Sequence, residues 1–104
     1  MQRIGGNEAA FRKVNESLRA STGLADAGKL FPFRCECGRL GCNQLVELSL
    51  PEYEAVRAVG THFFLIDGHE IPETERVVER RERFSVVEKH SEAATVALDS
   101  DPRA

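Results

Sequence analysis

The chain has 104 residues, 41% of them hydrophobic, with 17 acidic against 14 basic side chains and a formal charge of −3. A domain of this length hides only about 60–65% of the surface its unfolded chain exposes, so a staple such as a metal, a disulfide or a partner is expected. Three cysteines cannot pair off among themselves, which excludes a closed disulfide framework in the monomer. Interleaved charges of both signs exclude a field that gathers nucleic acid or anionic membrane.

No apolar run of signal-peptide length opens the sequence, and no segment approaches the roughly 20 apolar residues of a membrane span. The expectation is a cytosolic protein, where thiols stay reduced and clustered cysteines read as metal ligands or reactive groups.

In chain order, residues 1–6 are expected to be flexible. Asn7 is a good helix N-cap, and Ala10, Phe11, Val14 and Leu18 then recur at helical spacing, which predicts an amphipathic helix over residues 7–20. The glycine-containing stretch 21–30 has no clear period and reads as a loop or tether that could leave the helix loosely attached. Phe31-Pro32-Phe33-Arg34 is an extended lead-in to the cysteines, because the residue before a proline avoids helix. Leu45, Val46 and Leu48 suggest a short strand.

Ser49 and Glu52 form a capping box, with Pro51 tolerated in the first turn, and predict a second helix at 50–59 that turns Leu50, Tyr53 and Val56 inward and ends at Gly60. His62 to Ile66 is a compact apolar run that reads as a buried strand, and the turn at Asp67-Gly68 delivers His69. Residues 75–79 and 84–88 predict a hairpin across the charged segment 80–83. Residues 91–98 form a last short helix capped by Ser91, and 99–104 a disordered end. Residues 31–90 would thus be the core of a small α+β domain with a short, mainly antiparallel sheet. No internal repeat interrupts the chain.

Cys35-Glu-Cys37-Gly-Arg-Leu-Gly-Cys42 sets three thiols within eight residues, and Gly38 and Gly41 permit the positive φ angles that wrap a backbone round an ion. Zinc takes four tetrahedral nitrogen or sulfur ligands, and sites of three cysteines and one histidine are common. Cys37-x4-Cys42 has a usual ligand gap, whereas Cys35-x-Cys37 is tighter than usual. His69, fixed by the glycine turn, is the preferred fourth ligand, with His62 and His90 as alternatives. A strand at 62–66 beside the strand at 45–48 would bring His69 to the sulfurs. Arg34, Arg39 and backbone N–H groups are expected to offset the charge of three thiolates. A structural zinc contributes on the order of 10 kcal/mol, so the ion would decide whether the region folds.

The segments Phe11-Arg-Lys-Val-Asn-Glu16, Phe33-Arg-Cys-Glu-Cys37 with Cys42, Glu52-Tyr-Glu-Ala-Val-Arg57, Gly68-His-Glu70 with Pro72, Glu75-Arg-Val-Val-Glu79, Val86-Val-Glu-Lys89 and Asp101-Pro-Arg103 carry a resemblance. Along nearly its whole length the chain resembles a group of short bacterial proteins that have no established activity. The resemblance implies that the three cysteines and the glycine-histidine pair act together. The chain departs from that pattern at Asp67-Gly68, where proline-glycine is expected.

Three classes of function are compatible with these residues. An interaction or regulatory module, with another protein as partner and a structural Zn2+, is the leading expectation. A zinc enzyme would need an open coordination position and a base such as Glu36 or Glu70, yet His69-Glu70 lacks the second histidine of a His-Glu-x-x-His site and the deaminase signature is missing. A redox sensor would need Cys35 or Cys37 exposed. A nucleic-acid-binding knuckle would use Arg34 and Arg39 with Phe31 and Phe33, against the acidic balance.

Overall fold

A computed structural model of the chain describes residues 2–23, 27–37, 39 and 41–103. The element order is α1 (Gln2–Ser21), β1 (Leu30–Arg34), β2 (Leu45–Ser49), α2 (Leu50–Arg57), β3 (His62–Leu65), β4 (Glu75–Arg80), β5 (Ser85–Lys89) and α3 (Ser91–Asp99). It is an α+β fold with a two-stranded sheet β1-β2 and a three-stranded sheet β3-β5-β4, both antiparallel. No described helix is long and apolar enough to cross a membrane.

β1 and β2 are the two arms of one hairpin whose long connection carries the cysteines; Phe33 opposes Val46 and Phe31 opposes Leu48. Along β2 burial alternates, with Val46 and Leu48 inward and Leu45 and Glu47 outward, as the two-residue period of a half-covered strand requires. The chain then turns directly into α2. Ser49 Oγ accepts from the Glu52 N–H at 3.3 Å, and Glu52 Oε1 accepts from the Ser49 N–H at 2.8 Å, so the expected capping box is formed. Leu50, Tyr53 and Val56 are buried as expected, and so is Arg57.

The core lies where the two sheets meet α2. Phe33 stacks on Tyr53 with ring centroids 4.5 Å apart, and Phe64 sits edge-on to Phe33, Tyr53 and Phe84. Such aromatic pairs add about 0.5–1.5 kcal/mol each beyond the area they bury. The β4-β5 hairpin has a bulge between Val77 and Glu79, which leaves Val78 exposed, and a buried Glu75–Lys89 ion pair at its far end.

Several boundaries and faces differ from the sequence reading. α1 starts at Gln2, so Asn7 lies inside the helix rather than at its start, and residues 2–6 are helical. Within 21–30, Leu24, Ala25 and Asp26 lie outside the described residues, and β1 takes in Leu30. α2 ends at Arg57, short of Gly60, whose Cα instead faces the Asp101 and Leu98 side chains. α3 has His90 as its N-cap, without a side-chain capping bond, and Ser91 is a positive-φ residue at 56°.

The largest difference concerns how α1 packs. Val14 and Leu18, on the apolar stripe of the helix, are 43% and 37% exposed, whereas Arg12 and Asn15 are fully buried. Arg12 lies over the Phe63 ring at 3.8 Å and donates to the carbonyls of Gly60 at 2.8 Å and Ala97 at 3.1 Å. These carbonyls belong to a turn and a helix end, where backbone groups lack regular partners, so a long cation satisfies them better than an apolar side chain would. The helix is part of this chain's own core, attached by its polar stripe.

The end of the chain is also engaged. Arg103 makes a two-pronged pair with Glu54 at 2.8 and 2.9 Å and reaches Glu16 at 2.6 Å, tying the segment after α3 to α1 and α2. The bonds from Arg103 hold the Glu54 carboxyl below its ordinary value. Burial raises Glu16, but bonds from Arg103 and the Tyr53 hydroxyl outweigh it and hold Glu16 low too. Carboxyls lowered by folding stabilise above their unfolded value of about 4.3, and that stability fades as pH falls through the folded value. Arg103→Ala is therefore expected to cost about 1 kcal/mol at pH 7, given the partial exposure of the pairs, with the gap to wild type closing below about pH 4 in urea melts.

Candidate metal centre

The centre is built where the β1-β2 connection meets the end of β3. The Cys35 N–H donates to the Gln44 carbonyl at 3.0 Å, closing the neck of the connection, and the Glu36 N–H donates to the Phe64 carbonyl at 3.0 Å. The sequence reading placed the strand at 62–66 beside that at 45–48. Instead β3 pairs with β5, and it meets the extension of β1 through Glu36. β1 and β2 pair with each other, and it is the extension of β1, not β2, that lies against β3.

Cys42 is reached through a turn in which its N–H donates to the Arg39 carbonyl at 3.1 Å and Gly41 takes a φ of +83°. Gly38 lies outside the described residues. After β3, the His69 N–H donates to the Ile66 carbonyl at 2.9 Å across a turn with Gly68 at φ +94°, a conformation open to glycine. That turn aims the imidazole back at the sulfurs.

The four ligand atoms of Cys35, Cys37, Cys42 and His69 all lie within 4.8 Å of one another. His69 Nδ1 is 3.7 Å from Cys35 Sγ and 3.8 Å from Cys42 Sγ. Zinc at its usual distances of 2.3 Å to sulfur and 2.0–2.1 Å to nitrogen sets a tetrahedral S···N edge of about 3.6 Å. The spacing therefore fits a four-coordinate ion of that size. The two other histidines are elsewhere: His62 Nε2 is 3.2 Å from Glu88 Oε2, and His90 Nδ1 is 3.5 Å from Ser91 Oγ.

The chemistry around the sulfurs suits thiolates. Cys35 Sγ accepts from the Ile66 N–H at 3.3 Å. Without a cation, the Cys35 thiol donates to Cys37, which draws Cys37 down to about 4 despite its burial, helped by the Arg39 N–H, His69 and Cys42. The same bond, with burial, pushes Cys35 up. A divalent cation would displace that shared proton and favour thiolate at every sulfur.

The arginines expected near the site act through the backbone. Arg34 donates to the Cys42 carbonyl at 3.1 Å and lies 4.1 Å over the Phe11 ring, while Arg39 donates to the carbonyls of His69 at 3.3 Å and Glu70 at 3.1 Å. Each ties one ligand-bearing segment to another.

Sequence reasoning missed what lies behind the cysteines. Glu36, between Cys35 and Cys37, is fully buried and points away from the sulfurs to Arg57 at 2.7 Å, Asn15 at 2.9 Å and the Phe64 N–H at 3.3 Å. Burial raises the Glu36 carboxyl, opposed by Arg57, Asn15 and Arg12. A legible signal existed: an acid set between two ligands, with Arg57 on the inward face of a confidently capped helix. Glu36 has no position from which to activate a metal-bound water. Cys35 and Cys37 are both 0% exposed, and Phe33 is buried in the core, whereas Phe31 is half-buried and Arg39 exposed. Comparison with family models, with curated proteins and with solved structures returns no match to this chain.

Proposed function

We propose that the chain is a zinc-binding protein in which Cys35, Cys37, Cys42 and His69 hold one structural ion, and that the stapled domain serves as an interaction or regulatory module. The observation that carries the metal reading is the convergence of four ligand atoms from two separate segments to within 4.8 Å. Four protein ligands fill a tetrahedral shell and leave no position for a water, which favours a structural over a catalytic ion. A site of three thiolate ligands suits a reducing compartment such as the cytosol.

Support for the module comes from the outer face of α1. Val14 and Leu18 stand exposed beside a shallow groove of about 190 Å3 lined by Leu18, Ser21, Thr22, Phe31, Pro32 and Phe33. An apolar stripe on a helix already attached by its other face suits contact with another protein.

The test is elemental analysis of the purified chain with a thiol count before and after chelation. One zinc per chain, with three thiols becoming reactive only after chelation, is the expected result. Three freely reactive thiols with no bound metal would end the reading.

A further inference from the structure

The residues between and before the first two cysteines are gripped from the opposite side by one residue of α1. Asn15 is fully buried; its Nδ2 donates to the Arg34 carbonyl at 2.8 Å and to Glu36 Oε2 at 2.9 Å, and its Oδ1 accepts from the Arg34 N–H at 2.7 Å. The amide thus uses both of its donors and its acceptor on residues 34 and 36, which flank Cys35. Fixing both neighbours fixes the Cys35 backbone, and with it the sulfur that receives the Ile66 N–H and lies 3.7 Å from His69.

We propose that Asn15 is a positioning residue for the metal centre, so that docking of α1 and affinity for the ion are coupled. The inference rests on the metal reading above. Coupling of this kind is reciprocal: whatever α1 contributes to holding the ion, the ion contributes to holding α1. Partners that orient ligands from outside the coordination shell typically carry about ten- to a hundredfold in metal affinity. Arg103 provides the contrast, because it ties α1 to α2 through Glu16 and Glu54, and among the described residues its side chain bonds none of the 34–42 segment.

The experiment loads the full chain with Co2+, whose thiolate-to-metal absorption reports sulfur ligation, and measures affinity by competition with a chelator for wild type, Asn15→Ala and Arg103→Ala. Asn15→Ala should lose about ten- to a hundredfold and alter the visible band, and Arg103→Ala less than about threefold. Amide hydrogen exchange on wild type, with Co2+ and without, forms a second arm that holds even if Asn15→Ala does not fold. Without the ion, α1 and residues 34–42 should exchange faster while β3 and β5 stay protected. Wild-type Co2+ affinity in Asn15→Ala overturns the coupling. So do affinity losses that track the melting temperature equally in both variants, and an α1 that exchanges alike in both states or only together with the whole chain. A wild-type chain with no thiolate-to-Co2+ band fails the metal reading itself, a result distinct from all of these.

Discussion

Cys37→Ser is expected to abolish tight zinc binding and to lower the melting temperature by about 10–20 °C. Cys37 is buried and supplies one of four ligand atoms gathered from 35–42 and 69. A bound ion would link the β1-β2 connection to the turn after β3 with near-covalent strength; among the described residues the two are otherwise held by hydrogen bonds such as those from Arg39. Losing a thiolate removes several kcal/mol of ligation, and in a domain near 100 residues each kcal/mol moves the midpoint by about 4–8 °C. Thermal melts with metal content measured alongside decide the matter, and chelated wild type should melt close to the variant. An unchanged midpoint in a metal-free variant would show that the ion does not hold the fold.

The second large effect is expected at Arg57. Its guanidinium and the Glu36 carboxylate are each about 1% or less exposed, at 2.7 Å. Arg57→Ala leaves a buried carboxylate without its main counter-charge and should cost about 3–5 kcal/mol at neutral pH. Burial already raises Glu36, and loss of the Arg57 charge that opposes it raises it further. An acid whose value rises on folding destabilises most at high pH, and the penalty shrinks toward the unfolded value of about 4.3. Urea melts of variant and wild type should therefore diverge as pH rises from about 4 to 7. Adding Glu36→Gln to Arg57→Ala should recover part of the loss at neutral pH by removing the charge itself. A single Arg57→Ala variant as stable as wild type would mean that the pair contributes nothing to the core.

Parts of this architecture were readable where one local rule acted alone. The capping box at Ser49 and Glu52 needs only a hydroxyl, a carboxylate and three-residue spacing, and α2 follows from it. The glycine turn before His69 and the aromatic run at 62–66 likewise declare themselves, so the four residues that converge could be named before their geometry was known. What periodicity hid was α1. Its apolar residues recur at helical spacing, yet the face that packs carries Arg12 and Asn15, because what it meets is a set of carbonyls and a buried acid rather than an oily surface. Hydrophobic pattern cannot report a docking face whose partners are polar. The pairing of β3 with β5 was hidden for a different reason: a strand's partner is set by the whole topology, which no single strand's residues record.

The one-residue gap between Cys35 and Cys37 looked irregular for a zinc pair, and the fold gives it a reason. In near-extended backbone, neighbours point to opposite sides, so a single intervening residue sends both sulfurs one way and the Glu36 carboxylate the other. An added residue there would throw either a thiol into the hydrophobic interior or the acid out toward the ion. Length variation at this point should thus be forbidden twice over, by the sulfur cluster on one side and by ion pairing on the other.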